Sequence, residues 1–285
     1  MTLLLDAATV ARKVRDLPAL PHALTEVLVA LRQDSLHLER CATLIERDQA
    51  LCGRTLRLAN SSFYGMSGRV GTIRDAIQLL GLGTVATLMS AALLSSRFDP
   101  GRCAGFDFRA FLRHAIAASI AARELARASG EDEHEAGLAG LLHDVGQLAL
   151  ATYFPGELSA ALALARSADC PVSEAERGLL NLDHAEVGGI VARHWSFPPA
   201  MALAIEQHHV CDRSSLPAGT TVLSDIVHLA DVVAHALNVT HDPDALVPPV
   251  SLQAWHRLRV QALPMAAIFA AVERGVDAVC AELQL

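Results

Sequence analysis

The feature that most constrains this chain is the stretch Gly137–Leu150, GLAGLLHDVGQLAL. It is an apolar run of helical period that carries an imidazole and a carboxylate side by side, His143 and Asp144, just before Gly146. Charge buried in apolar surroundings is costly unless it is paired or bound to a metal. The pair therefore either faces water or has partners elsewhere in the chain. Neighbours on a helix point about 100° apart, because 3.6 residues make a turn. Both can serve one site only near a helix end or where helices converge, and Asp144 ahead of Gly146 fits such an end.

The rest of the chain shares this period. Apolar residues recur at helical spacing almost throughout and strand alternation is scarce, so the fold class expected is all-α. Helices are expected over Asp6–Arg15, His22–Gln33, Leu36–Arg47 and Gln49–Ala59, with Asp48 an N-cap between the last two. The run Asn60-Ser61-Ser62-Phe63-Tyr64-Gly65 interrupts them and reads equally as a capped turn or a binding loop. Helices follow over Thr72–Leu80 and Thr84–Arg97. The segment RFDPGRCAG, Arg97–Gly105, then divides the chain into an N-terminal helical part, 1–105, and a second part, 106–285. The two are expected to pack as one cooperative unit. Downstream come Phe108–Ser129, His134–Leu150 and Pro155–Ala168. Two capping boxes follow, Ser173 with Glu176 and Asp183 with Glu186. Pro198 and Pro199 suit a first helical turn, and Thr220–Leu237 is a long apolar helix ahead of two final ones.

With 285 residues, 52% of them hydrophobic and 19% charged, the chain can bury a sizeable core. A net charge of −8 argues against a uniformly basic nucleic-acid surface, and 4% aromatic residues leave few platforms for stacking bases. The six cysteines are scattered without a C-x-x-C, which points to reduced thiols. Asp6 interrupts the short N-terminal apolar run, and no stretch approaches the roughly 18 uncharged residues of a span. A cytoplasmic protein without a membrane span is expected; the oligomeric state is not legible.

Polar outliers then gather in the second part: His114, His143, Asp144, His184, His208, His209 and Asp231, each on or beside an apolar helix. Imidazole nitrogens and carboxylate oxygens together suit a divalent transition metal such as iron, manganese, nickel or zinc. His228 and His235 share a helix face with Asp231 and can orient it, with simple helix-face hydrogen bonding the plainer reading. His22, His37, His134, His194, His241 and His256 read as structural or surface groups. Arg54 and Arg57, one turn apart, read as partners of a neighbouring acid rather than of a phosphate, since anion sites usually add backbone donors.

The pattern H…HD…D, carried by His114, His143-Asp144 and Asp231, resembles the HD superfamily of metal-dependent phosphohydrolases. His184 and His208-His209 resemble the extra ligands of its HD-GYP branch, cyclic-di-GMP phosphodiesterases with two or three metals. The upstream motifs LPALPHALTEVLVAL, IERDQALCGRTLRLANSSFYG and TIRDAIQLLGLGTV, followed by HDVG and LAD, resemble the HDOD domain, a bacterial signalling relative, over about Leu17–Leu237. This resemblance implies an HD-domain-like helical bundle with an N-terminal helical subdomain. It also implies a regulatory, non-catalytic role with a signalling protein partner or a nucleotide, often without metal ligands; one or two divalent ions are what the HD and HD-GYP resemblance implies.

The chain departs from both relatives. Unlike a typical HDOD domain, it keeps the whole H…HD…H…HH…D set. Unlike an HD-GYP enzyme, it has Gln147 where the motif usually carries Lys, and Val210-Cys211-Asp212-Arg213 in place of a Gly-Tyr-Pro loop. A positive charge there would help hold an anionic phosphate and stabilise the transition state. Gln147 supplies a hydrogen bond and no charge. The alternative reading is a metal-dependent phosphohydrolase or phosphodiesterase on a cyclic or other nucleotide, with Asp144 bridging two ions as its catalytic carboxylate.

Overall fold

The computed structural model describes residues 4–17, 37–61, 70–97, 103–212, 222–242 and 245–285, and every regular element among them is helical. Helix α1 (Ala7–Val14) opens on Asp6, whose carboxylate accepts the Thr9 N–H at 2.6 Å. Helices α2 (His37–Glu46) and α3 (Gln49–Ala59) flank Asp48, which accepts the N–H groups of Ala50 and Leu51 as an N-cap should. Helices α4 (Ile73–Leu80) and α5 (Leu82–Arg97) meet at Gly81. The 22-residue α6 (Phe108–Ser129), about 33 Å long at 1.5 Å per residue, is the spine. Helices α7 (Glu133–Leu142), α8 (Val145–Tyr153), α9 (Pro155–Ala168), α10 (Val172–Leu180), α11 (His184–His194) and α12 (Pro199–Glu206) follow. The chain closes with α13 (Val222–Ala236), α14 (Leu252–Arg257) and α15 (Met265–Leu283).

Two apolar cores share the spine, one against its first turns and the other along the rest of its length. One joins Ile45, Leu58, Ile77 and Leu88 of α2–α5 to Ile116 and Leu125 of α6 and to Val272 and Val276 of α15. The other gathers Val10 and Val14 of α1, Leu148 of α8, Val187 of α11 and Ile205 of α12 around Phe111 and Leu112 of α6. Alanines and glycines let α6 and α7 approach backbone to backbone. A Cβ on Gly140 would stand 2.6 Å from the Ala118 carbonyl oxygen, so only glycine fits. That contact sets the end of α7, and with it His143, against His114.

Two expectations are corrected. The segment His134–Leu150 is not one helix: it breaks at His143-Asp144, which cap the end of α7 and the start of α8. The chain turns there because α8 packs on the backbone of α11; a Cβ on Gly146 would fall 1.9 Å from the His184 carbonyl oxygen. The Ser173–Glu176 capping box does not form. Pro171 takes the cap position with no side-chain bond, and Glu176 turns inward. Ser173, Glu176 and Leu180 share the buried face of α10, so burial overrides the local motif. The Asp183–Glu186 box does form, with both reciprocal bonds, at 2.9 and 3.0 Å.

Of the segment Asn60–Gly65, all beyond Ser61 lies outside the described residues, as does the helix expected at His22–Gln33. The Asn60 amide is used structurally, bonding the N–H and carbonyl of Val70 and the carbonyl of Leu56. Arg57 pairs with an acid, Glu282, at 2.8 Å. None of the six cysteines forms a disulfide among the described residues. Among the described residues, no single helix is long and apolar enough to cross a membrane.

Candidate metal centre

Five stretches of the chain deliver the polar outliers to one place. His114 projects from α6, His143 and Asp144 from the α7–α8 turn, and His184 from the first position of α11. His208 and His209 follow the end of α12, and Asp231 lies within α13. Every residue singled out for metal in the sequence is therefore part of one cluster. His235 joins it from one turn beyond Asp231.

The two oxygens of Asp144 face different histidines. Oδ2 lies 3.2 Å from His143 Nε2 and 3.7 Å from His114 Nε2. Oδ1 lies 3.2 Å from His184 Nε2 and 3.4 Å from His208 Nε2. Asp231 Oδ1 stands 3.0 Å from His114 Nε2 and 3.5 Å from His143 Nε2. His209 Nε2 lies 2.8 Å from His184 Nε2.

Outer groups aim these rings. His143 Nδ1 donates to the Gly140 carbonyl at 2.7 Å, and His208 Nδ1 to the Ile205 carbonyl at 2.8 Å. His184 Nδ1 meets the buried Glu176 carboxylate at 2.6 Å, which also accepts the His184 backbone N–H. With Nδ1 engaged, each ring presents Nε2 to the interior of the cluster. This is how metal-ligating imidazoles are usually oriented. His228 behaves differently: its Nδ1 donates to the His208 carbonyl and its Nε2 accepts the Ser251 N–H. It braces the His208-His209 turn rather than Asp231.

The donor set fits a metal. Asp144 Oδ1, Asp231 Oδ2 and His208 Nε2 are buried and make no hydrogen bond of acceptable geometry. Buried polar atoms are rarely left so. Ligands about 2.0–2.1 Å from one ion lie roughly 3–3.4 Å from one another, the separation found here between the oxygens and the facing nitrogens. The electrostatics agree. Burial works against ionising Asp144 and Asp231, yet facing imidazoles, His143 and His235 foremost, hold both carboxylates well below their usual range. Burial likewise opposes the charged form of His143, but Asp144 and Asp231 lift it to about 10. Glu176 and Asp144 raise His184 against its own burial. His209 is driven down by burial and by its neighbours His208 and His184, and His235 to about 4, chiefly by burial. The buried carboxylates are thus held ionised and draw positive charge into the cluster, which protons on His143 and His184 supply in the absence of an ion.

A cavity of about 370 Å³ opens over the cluster. His114, Asp144, His184, His209, Asp231 and His235 form its floor. Phe106 and Leu246 give it apolar wall, and Gln147 lines it beside Asp144. Arg166 is the one guanidinium or ammonium group lining it among the described residues. Glu176 escaped the sequence reading because its spacing from Ser173 matched a local cap; its place on the apolar face of α10 was the signal that it points inward.

The family model of the HDOD domain matches residues 17–211. An uncharacterised protein of Treponema pallidum (strain Nichols) is 26% identical over 209 residues, covering 71% of this chain and 39% of that relative's length. The chain thus spans well under half of it. An HDOD domain protein of unknown function from Geobacter sulfurreducens has a crystal structure matching with a TM-score of 0.79 at 22% identity, over 98% of this chain and 100% of the other. A candidate phosphohydrolase from Shewanella amazonensis SB2B matches at 0.68 and 25% identity, over 95% and 96%. A candidate signal transduction protein from Marinobacter aquaeolei VT8 matches at 0.74 and 23% identity, over 93% of this chain and 59% of that one. The first and third establish a shared helical fold, as the sequence led one to expect.

Proposed function

This chain belongs to the HDOD domain family, and we propose that it is a bacterial signalling module whose working part is a two-metal centre at the floor of a nucleotide-binding pocket. The observation that carries this reading is the division of Asp144: each of its oxygens faces a separate pair of imidazole nitrogens. His114, His143 and Asp231 would hold one divalent ion with Asp144, and His184, His208 and His209 a second. A bound ion would supply Lewis acidity toward a phosphoryl oxygen of the ligand. The remaining work falls to the chain. Glu176 and the Gly140 and Ile205 carbonyls keep three rings turned to the interior. Gln147 offers a neutral hydrogen bond to a ligand at the floor, and Arg166 offers charge at the wall. A neutral Gln147 favours holding a phosphorylated ligand over stabilising the extra charge of a transition state. Occupancy of the pocket would then be relayed to a partner protein.

Hydrolysis is the second reading. It is favoured by the cavity that gives the cluster access to small molecules, and by the likeness to the Shewanella candidate phosphohydrolase.

Elemental analysis of tag-free protein, reconstituted in turn with manganese, iron, nickel and zinc, tests the centre. About two ions per chain are expected for one of them. Less than roughly a tenth of an equivalent of every metal would sink the reading, because a site with this donor set must bind when supplied. Calorimetry with mononucleotides and cyclic dinucleotides then tests the pocket, and phosphate release separates the two readings. In both assays Asp144→Ala should be silent.

A further inference from the structure

His235 is the polar group of the pocket floor left without a role. It stands one helical turn after Asp231 on α13, its Nε2 3.4 Å from Asp231 Oδ1. Its ring packs on that of His114, with centroids 4.6 Å apart. The side chain is 31% exposed, and it lines the cavity. One donor atom each from His114, Asp231 and His235 lies within 4.8 Å of the other two.

A helix-face hydrogen bond accounts for the His235–Asp231 contact alone and not for the convergence of the other nitrogens on the same oxygen. Asp231 Oδ1 is faced by the Nε2 atoms of His114, His235 and His143, at 3.0, 3.4 and 3.5 Å. A carboxylate oxygen offers two lone-pair directions, fewer than the nitrogens around it. His114 Nε2 is also 3.2 Å from His143 Nε2, so the two cannot both direct protons at each other. Protonating every ring would place imidazolium ions side by side. A single cation among these atoms satisfies the nitrogens through their lone pairs and Asp231 through its charge.

We propose that His235 is a metal ligand, supplying the pocket-facing donor to the ion that His114 and Asp231 hold. The assignment rests on the metal-centre reading and extends it. Catalytic metal sites keep a coordination position open for water or substrate. His235, 31% exposed, lines the cavity; as a ligand it would occupy a position that a phosphorylated ligand would otherwise take. That arrangement suits ligand sensing by exchange at the metal.

Cobalt(II) substitution tests this without recourse to activity. Wild type, His235→Ala, His235→Gln and Asp144→Ala are titrated with Co²⁺ while visible absorption is recorded, with thermal melts to show that each variant is folded. In both His235 variants, loss of a nitrogen donor should shift the cobalt ligand-field bands and weaken binding by about tenfold or more. Millimolar imidazole should restore the wild-type bands in His235→Ala. A wild-type spectrum in either His235 variant overturns the assignment, even if binding weakens, because a group that only orients Asp231 leaves the donor set unchanged. In that case cobalt binding by wild type and its loss in Asp144→Ala would leave the metal centre itself standing. Failure of wild type to bind cobalt overturns both.

Discussion

Helix α13 carries two carboxylates, Asp225 and Asp231, at 0% and 1% exposure, and they are treated in opposite ways. Asp225 is matched across the α13–α14 contact by Arg257, whose Nε lies 2.5 Å from Oδ2 and Nη2 3.5 Å from Oδ1. A guanidinium is permanently charged and fork-shaped, so that acid is neutralised by the chain itself. Asp231 is faced instead by His114, His143 and His235. An imidazole is a cation only when protonated and otherwise a donor of a lone pair. The same buried acid on the same helix is thus a structural tie in one place and part of a candidate metal centre in the other. What differs is whether the facing group brings its own charge.

The largest break in this comparison should come from Asp144→Ala. It removes both oxygens around which the imidazoles gather, and metal affinity measured by equilibrium dialysis should fall by more than about a hundredfold. Retained affinity would mean the histidines, not the carboxylate, define the site. Next, Arg257→Met takes the guanidinium away from the buried Asp225 carboxylate. Urea unfolding should show a loss of about 3–5 kcal/mol, with metal content unchanged. The double variant Asp225→Leu with Arg257→Met should recover most of that loss, since an apolar pair can replace a buried ion pair. A fall in metal content in Arg257→Met would show that the two regions are not independent. Glu176→Gln sharpens the comparison from outside the cluster. It keeps an acceptor for His184 Nδ1 but removes the charge, and metal affinity should fall by roughly 10–100-fold. An unchanged affinity would reduce Glu176 to a hydrogen-bonding spacer.

The smallest effect concerns an acid of a third kind, the exposed N-cap Asp6, held below its ordinary value of 3.8 first by the Thr9 N–H. A carboxylate depressed in the folded state stabilises it above the unfolded pKa, and that contribution is lost as pH falls through the folded value. Asp6→Asn should therefore lower the melting temperature slightly at neutral pH and make no difference near about pH 2. A difference that persists in acid would assign the cap's value to geometry rather than charge.

Much of the site was legible because its residues offend their surroundings. His114, His143, Asp144, His184, His208, His209 and Asp231 interrupt apolar helical runs, and a polar group in such a place needs a partner. His235 was legible only as a neighbour of Asp231, since an i, i+4 spacing serves a surface hydrogen bond as well as a buried ligand. Glu176 was hidden by a local motif that the fold did not use.

The sequence by itself determined the all-α class, through its helical period, and the identity of the candidate donors, through their chemistry. It also determined several helix starts, such as Asp48 and Asp183, because a cap is a contact between residues two or three apart. Only the tertiary structure decided that the helix over His134–Leu150 breaks at His143-Asp144, that Asp144 turns one oxygen to each set of imidazoles, and that Asp225 has a guanidinium while Asp231 does not. These outcomes depend on close backbone approaches such as Gly146 against His184, between elements far apart in the chain. Periodicity tells which face of a helix is buried; only packing tells what that face meets.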